Sequence, residues 1–363
     1  MFNSIIALSE KHGLLRKFVF PRMKIEQLKV GPVGYLLLHQ LRNEWFNHMI
    51  INKETSVFIS DNDFEGTFQF AKRLCLDRLP FGIAEIIQNK RISNENLILE
   101  HYVERMNSND IDFEAYFGNE DSLTLKCTIF TTPTNSVPFF HQWQRDRRIW
   151  WRKFSASPGR YSVTDIKTET NNTQTVQIRA NYPWKSHIVE TLALHTGPKY
   201  VSEADKFKDG KKTIPSSSII STIHLNTLFM NTICDAYDES EYKGNKRALL
   251  RFHRKLAPYS ISFAIASGGV AAIVQELNDL ALHLTEQFRT NHLSTLFLPR
   301  SSKLSLEAQW RQYDEMGIPY NVVLNERTLK DGLVHLRNRD TTLKEQVHVS
   351  ELVAYVEQLF KNY

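Results

Sequence analysis

Apolar positions along this chain recur with two spacings, four residues and two, and the alternation between them marks out the elements. In GPVGYLLLHQLRNEWFNHMI (31–50), Leu37, Leu41, Trp45 and Met49 follow a Gly-Pro turn at four-residue intervals, which predicts an amphipathic helix. Upstream, SIIALSEKHG reads as a helix capped at Gly13. TSVFIS reads as a strand, 64–78 as a short helix, and RLPFGIAEII as a turn at Pro80 and Gly82 that leads into a strand. Residues 88–120 are polar, with a loop at NSNDID. SLTLKCTIFTTPT alternates along a long strand that Pro133 stops, and WQRDRRIWWRKF (143–154) follows as a helix. A hairpin is expected around TETNNTQ, a helix at IVETLALH, a turn at KDGKK, and a strand running into a helix at STIHLNTLFMNTICDAY. The sum is an α+β core with a mixed, mainly antiparallel sheet.

Beyond residue 257 the pattern changes. SISFAIA reads as a strand, VAAIVQELNDLALHLTEQF as a strongly periodic helix, LSTLFLP as a strand, and LSLEAQWRQYDEMG as a helix closed at Gly317. PYNVVLN and GLVHLRN are strands joined by a turn at Lys330, Asp331 and Gly332, and VSELVAYVEQLFKN is a terminal helix. That βαβαββα order predicts a compact α/β domain with a partly parallel sheet. A chain of 363 residues fits two domains, expected at 1–245 and 246–363, with a linker near 245–257.

Charge changes the picture through its distribution, since the net charge is only +5. Residues 143–154 hold Arg145, Arg147, Arg148, Arg152 and Lys153 against Asp146; 206–212 hold four lysines against Asp209; 243–255 hold six cations and no acid. Such clusters suit a polyanion, and they equally suit solvated helix faces and loop tips. The DNA-contact candidates are Arg145, Arg148, Arg152, Lys153, Lys208, Lys211, Lys212, Lys246, Arg247 and Arg251. On a helix, Phe140, Trp143, Trp150 and Phe154 form one apolar stripe, with Arg145, Arg148 and Arg152 on another face. Trp151 and Arg147 flank the stripe, where Arg can stack on an indole. The tryptophans therefore read as packing, and only the arginines as phosphate contacts.

Chemistry is sparse. No P-loop, dinucleotide, zinc-protease or serine-hydrolase motif is present. ASGGVAA (266–272) reads as a tight strand-to-helix connection, DFE (112–114) and DAYDE (235–239) as solvated acids, and His224 as a satisfied core or edge histidine. Cys75, Cys127 and Cys234 are widely spaced, without a metal-ligand pattern, and fit free thiols in a reducing compartment. No catalytic residue, metal or cofactor is expected, nor a membrane-spanning run. MFNSIIALSEKHGLLRKFVFPRMK carries five cations and one acid, a bias shared with organelle transit peptides.

The segments GPVGYLLLHQLRNEW, RLPFGIAEI and YDEMGIPYNVVLNERTLKDGLVHLRNRDTTLKEQVHVSEL resemble class II aminoacyl-tRNA synthetases of the glycyl, prolyl and threonyl type, the last in their anticodon-binding domain. With WWRKFSASPGRYSVTD, NYPW, DGKKTIP and HLRNRDTT, the chain is more similar to the synthetase-like accessory-subunit family of mitochondrial DNA polymerase gamma. That resemblance implies a class II synthetase-like core plus an anticodon-binding-like α/β domain, a processivity role, and a mitochondrial location in the matrix nucleoid. It also implies a catalytic-subunit partner, contacted through candidates His335, Arg337, Arg339 and Asp340, and primer-template DNA. A working synthetase carries Phe-Arg-x-Glu in motif 2 and a Gly-rich strand ending in Arg in motif 3. This chain has Arg91 but Ser93 at the first, and Leu228, Met230 and Asn231 at the second, so adenylation is expected to be lost. The long helical insertion through which vertebrate members dimerise is replaced by residues 64–78, which implies a one-to-one heterodimer with the catalytic subunit.

Overall fold

The computed structural model describes residues 1–20, 25–88, 113–117, 123–169, 173–196, 206–242, 245–266, 270–298 and 302–361. Arg91 and Ser93, NSNDID, the tip of the TETNNTQ hairpin, Asp112 and the Glu114 side chain of DFE, the two glycines of ASGGVAA and the Lys246 side chain lie outside the described residues.

The first half of the chain is organised on an eight-stranded sheet. Strands β3 (Val57–Ser60), β4 (Phe81–Gln88), β5 (Leu123–Thr131), β12 (Ser217–His224), β9 (Ser186–His195), β8 (Thr173–Asn181) and β6 (Tyr161–Val163) follow in that order, with β7 (Lys167–Thr168) also on β8. Only β3–β4 is a parallel pair. Helices α1 (Phe2–Lys11), α2 (Pro32–Phe46), α4 (Pro133–Lys153) and α5 (Leu225–Ala236) close the core; α3 (Phe64–Leu74) lies against β3 and β4. The four-residue repeat is the buried face: Leu37, Leu41 and Trp45 of α2, and Met49 in the π-helical turn that follows, are all at most 1% exposed. Gly13, at φ +70°, ends α1 in the left-handed region that a side chain would strain.

Three expectations need correction. IVETLALH is the strand β9, not a helix: a bulge opposite Ile178 and Arg179 shifts its register, leaving buried Val189 and Leu192 three residues apart, a helix-like spacing inside a strand. Gly82 lies within β4 and not in a turn; a Cβ there would come 2.4 Å from Ile129 Cδ1, so the strand needs glycine for close packing. Helix α4 begins ten residues before WQRDRRIWWRKF, with Thr132 accepting from the Asn135 amide and Pro133 in its first turn. The same proline therefore stops β5 and opens α4.

The C-terminal half forms a second sheet in the order β16 (Thr295–Leu296), β15 (Ile261–Ala266), β17 (Tyr320–Asn325), β18 (Leu333–Asn338) and β19 (Lys344–His348). β15 is parallel to both neighbours; the other pairs are antiparallel. Ile261, Phe263 and Ile265 pack under α6 (Ala271–Thr290) and α9 (Val349–Lys361), while Ala264 faces Tyr313 of α7 (Leu306–Glu315), so the sheet is covered on both sides. Two features differ from expectation. The segment before Gly332 is a short helix, α8 (Glu326–Asp331), held by a capping box at Asn325. KEQVH is an edge strand, β19, whose largely exposed polar side chains give it no apolar alternation. Between the sheets, β13 (Tyr237–Tyr242) and β14 (Asn245–Leu250) form a hairpin that contains position 245/246. Leu250, Phe252, Leu256 and Ala257 belong to the first core and Ile261 to the second, so packing changes hands between residues 257 and 261.

Candidate nucleic-acid interface

Helix α4 carries the first of the three cationic clusters, and its inner face fixes which cations reach solvent. Arg147 is fully buried and its Nε donates to Glu190 Oε1 of β9 at 2.8 Å. Trp151 Nε1 donates to Glu190 Oε2 at 2.6 Å, and Ser221 Oγ of β12 donates to Glu190 Oε1 at 2.6 Å. One buried carboxylate thus ties the helix to two strands. The Arg147 guanidinium stacks on the Trp150 ring at 4.4 Å, and Phe140, Trp143 and Trp150 are buried, so the aromatic residues are packing as the spacing predicts. What remains outside is Arg145 and Lys153, exposed, with Arg148 and Arg152 half-buried; Arg152 Nη2 donates to the Tyr161 carbonyl at 3.1 Å. On the flank, Lys53 lies over the Trp143 ring at 4.3 Å and 3.7 Å from Asp146.

The end of α4 meets the segment after β14. Phe154 packs edge-on against His253 at 5.2 Å, and a cleft of about 310 Å3 opens between the two halves of the chain, lined by Phe154, Arg251, His253, Arg254, Asn338 and Asp340 among others. His253 is pushed down to about 4, first by burial and then by the charges of Arg254, Lys153, Lys255 and Arg339. The end of the first basic cluster, through Phe154 in the lining and the charge of Lys153 on His253, therefore comes up to the second cluster at this cleft. Arg251 is 2.8 Å from Asp238, but both are near two-fifths exposed, a pair that solvent screens. The lysine hairpin has other neighbours: β10 (Phe207–Asp209) and β11 (Lys212–Ile214) anchor through Phe207 on Phe68, Phe81 and Phe130. There Lys208 pairs with Asp77 at 3.0 Å, while Lys211 and Lys212 are exposed.

Several expected contact residues have internal jobs instead. Arg247 is paired with Asp314, and Arg337 clamps the same carboxylate through two bonds of 2.9 and 3.0 Å. Arg339 donates to the carbonyls of Gly317 and Phe252 and to Asp340. Arg337 and Arg339 are 3% and 4% exposed, so neither offers a surface to a partner: Arg337 ties β18 to α7 within the C-terminal half, and Arg339 ties that half to Phe252 of the first core. Lys11 and His12 on Glu315, and Arg254 on the Leu359 carbonyl, reinforce that junction. Of the partner-contact candidates, His335 is half-buried beside Gln346, and Asp340 is exposed while holding Arg339.

The positions compared with motif 3, expected on a strand, lie on a helix, because the strand ends at His224. Leu228, Met230 and Asn231 on α5 are all at most 1% exposed. Asn231 donates to the Tyr161 hydroxyl at 2.8 Å and accepts from Tyr182 at 2.7 Å. Asp235, expected at the surface, is buried: Ser155 Oγ and the Ala156 amide donate to it at 3.0 and 2.8 Å, and Arg160 is 3.3 Å away. Its neighbours arrive from the turn after α4, a tertiary contact that DAYDE does not encode. His224 pairs with Thr124 at 3.1 Å. All three cysteines are free thiols, and burial pushes Cys127 up to about 12. Among the described residues no cluster of metal-ligating side chains occurs, and no helix is long and apolar enough to cross a membrane. Sequence reasoning missed Glu190, placed in a supposed helix, and Asp314 and His253, which carry no local signal.

Two comparisons bear on this architecture. The anticodon binding domain family matches residues 267–359. A fruit fly protein, DNA polymerase subunit gamma-2, mitochondrial (Drosophila melanogaster), is 30% identical over 255 residues, covering 66% of this chain and 68% of that one. The chain belongs to the DNA polymerase subunit gamma-2 family. The mouse (Mus musculus) DNA polymerase subunit gamma-2 is 28% identical across 89% of this chain and 82% of its own length. A glycine–tRNA ligase of Borreliella burgdorferi is 24% identical across 87% and 69%. Family membership and the synthetase relative together account for the two sheets: a class II synthetase-like core followed by an anticodon-binding α/β domain.

Proposed function

We propose that this chain is a non-catalytic accessory subunit of mitochondrial DNA polymerase gamma, working in the matrix nucleoid and raising the polymerase's grip on primer-template DNA. Family membership carries the reading, since the gamma-2 relatives are named as polymerase subunits and two of them as mitochondrial. Its mechanism is multivalency: a second anchor on the DNA raises the effective concentration of the complex and slows its dissociation, without chemistry of its own. Arg145, Lys153 and Arg251 are the phosphate contacts we assign to the cleft side, supported by Arg148 and Arg152, with Lys208, Lys211 and Lys212 as a separate anchor. The C-terminal domain, taken from residue 246 onward, meets the catalytic subunit, with His335 and Asp340 among its surface. The packing of Leu228, Met230 and Asn231 argues against adenylate binding. With only α3 where a dimerising insertion would stand, we assign a one-to-one heterodimer.

Light scattering tests the assembly: mixing the chain with the cognate catalytic subunit should give one complex of one copy each. The isolated chain should have a mass near 42.3 kDa. No complex, or an isolated mass twice that, contradicts the reading. The synthetase-like relatives favour one alternative, a divergent synthetase; ATP–pyrophosphate exchange with any amino acid would establish it.

A further inference from the structure

We infer that the pocket between α7 and the turn joining β18 to β19 binds a phosphoryl group carried on a small anion. It encloses about 160 Å3 and shares no lining residue with the cleft at the end of α4. Its cations come from separate elements: Arg247 from β14, Arg311 from α7, Arg337 from β18 and Lys344 from β19. Asp314 beneath them is shared by two guanidiniums, those of Arg247 and Arg337. With Glu307 as the other acid, four cations face two carboxylates among the described residues of the pocket and Asp314.

The arrangement of those charges favours a phosphoryl group. The Trp310 ring carries Lys344 Nζ at 4.2 Å and Arg337 Cζ at 5.1 Å, two like charges held on one aromatic surface. Burial, and then the Arg337 charge, hold the Lys344 ammonium below its ordinary range, and the opposite charge of an entering anion offsets the repulsion. Arg311 and Lys344 are exposed, and among the described residues neither has an ion-pair partner. A carboxylate is planar, singly charged and satisfied by one guanidinium fork. A phosphoryl group has three terminal oxygens in diverging directions and a charge of about −1.5 to −2, which matches cations converging from several elements. Thr342, held at φ +59°, lines the same space and brings a neutral hydroxyl donor.

The test is calorimetric titration of the full chain with inorganic phosphate, adenosine 5′-monophosphate and adenosine, at constant ionic strength. Phosphate and the nucleotide should bind and adenosine should not; the tighter of the two identifies free phosphate or nucleotide as the source. Arg311→Gln with Lys344→Gln should weaken binding by about ten- to a hundredfold for each charged hydrogen bond removed. Both side chains are exposed, so the ligand-free melting temperature should stay unchanged, and Lys344→Arg alone should retain binding. Duplex-DNA affinity should also be unaffected, which separates this site from the cleft. Heat reproduced by potassium chloride, adenosine binding as well as its phosphate, or full binding by the double variant would overturn the assignment.

Discussion

At the scale of single residues, buried charge does the specifying. Glu190 accepts from Arg147, Trp151 and Ser221, and none of this can be read from IVETLALH, where the glutamate looks like the polar face of a helix. Removing one partner of a fully buried ion pair leaves the other uncompensated, so Arg147→Met should destabilise the chain by about 3–5 kcal/mol in urea unfolding. A loss under about 1 kcal/mol would mean that Glu190 is satisfied without it. Two histidines make stability depend on pH. His48, pushed down to about 2 by burial and then by Arg147 and Lys53, and His253, pushed down to about 4, both start from 6.5. Their folded values are depressed, so below 6.5 the unfolded chain binds protons that the folded chain refuses. Their contribution is therefore present above 6.5 and is lost as pH falls, toward 4 for His253 and toward 2 for His48. Thermal unfolding should show a melting temperature that drops between pH 7 and pH 5, and less steeply in His253→Gln. Identical slopes in the two proteins would remove His253 from the explanation.

At the scale of elements, legibility follows from how local each determinant is. Helix α2 is legible because its four-residue repeat is its buried face, and the C-terminal strands because they are buried on both sides. Strand β9 is not, because a bulge set by its partner β8 changes the phase of its alternation. Strand β19 is not, because an exposed polar edge strand has no phase to read. For α4 the sequence separates the aromatic stripe from the arginine face, yet it does not show that the charge of Lys153 reaches His253 at the cleft that Arg251 lines. That proximity yields a prediction about DNA. Changing Arg145, Lys153 and Arg251 together to Ala should weaken duplex binding and flatten its salt dependence, by about 0.9 in slope for each phosphate no longer neutralised. An unchanged slope in a filter-binding or anisotropy series would make this surface structural only. Arg337→Ala belongs to a different class: it should lower stability through Asp314, with DNA affinity following only as far as folding does.

At the scale of the whole molecule, the two halves are joined by charged ties that span the junction. Glu315 takes Lys11 and His12, Arg339 takes the Phe252 and Gly317 carbonyls, and Arg254 takes the Leu359 carbonyl. Arg339, which a family resemblance would assign to a partner, is used here to hold the anticodon-binding domain on the synthetase-like core. These ties leave between the halves a cleft lined by Arg251 and Arg254, the surface that the proposed DNA anchor would use. Primer extension by the cognate catalytic subunit, with and without this chain, across a rising salt series under single-encounter conditions is the most direct measurement. Products should be longer per encounter in its presence, and synthesis should persist at salt concentrations where the catalytic subunit alone stops. Product lengths and salt tolerance that are the same with and without the chain would contradict a processivity role.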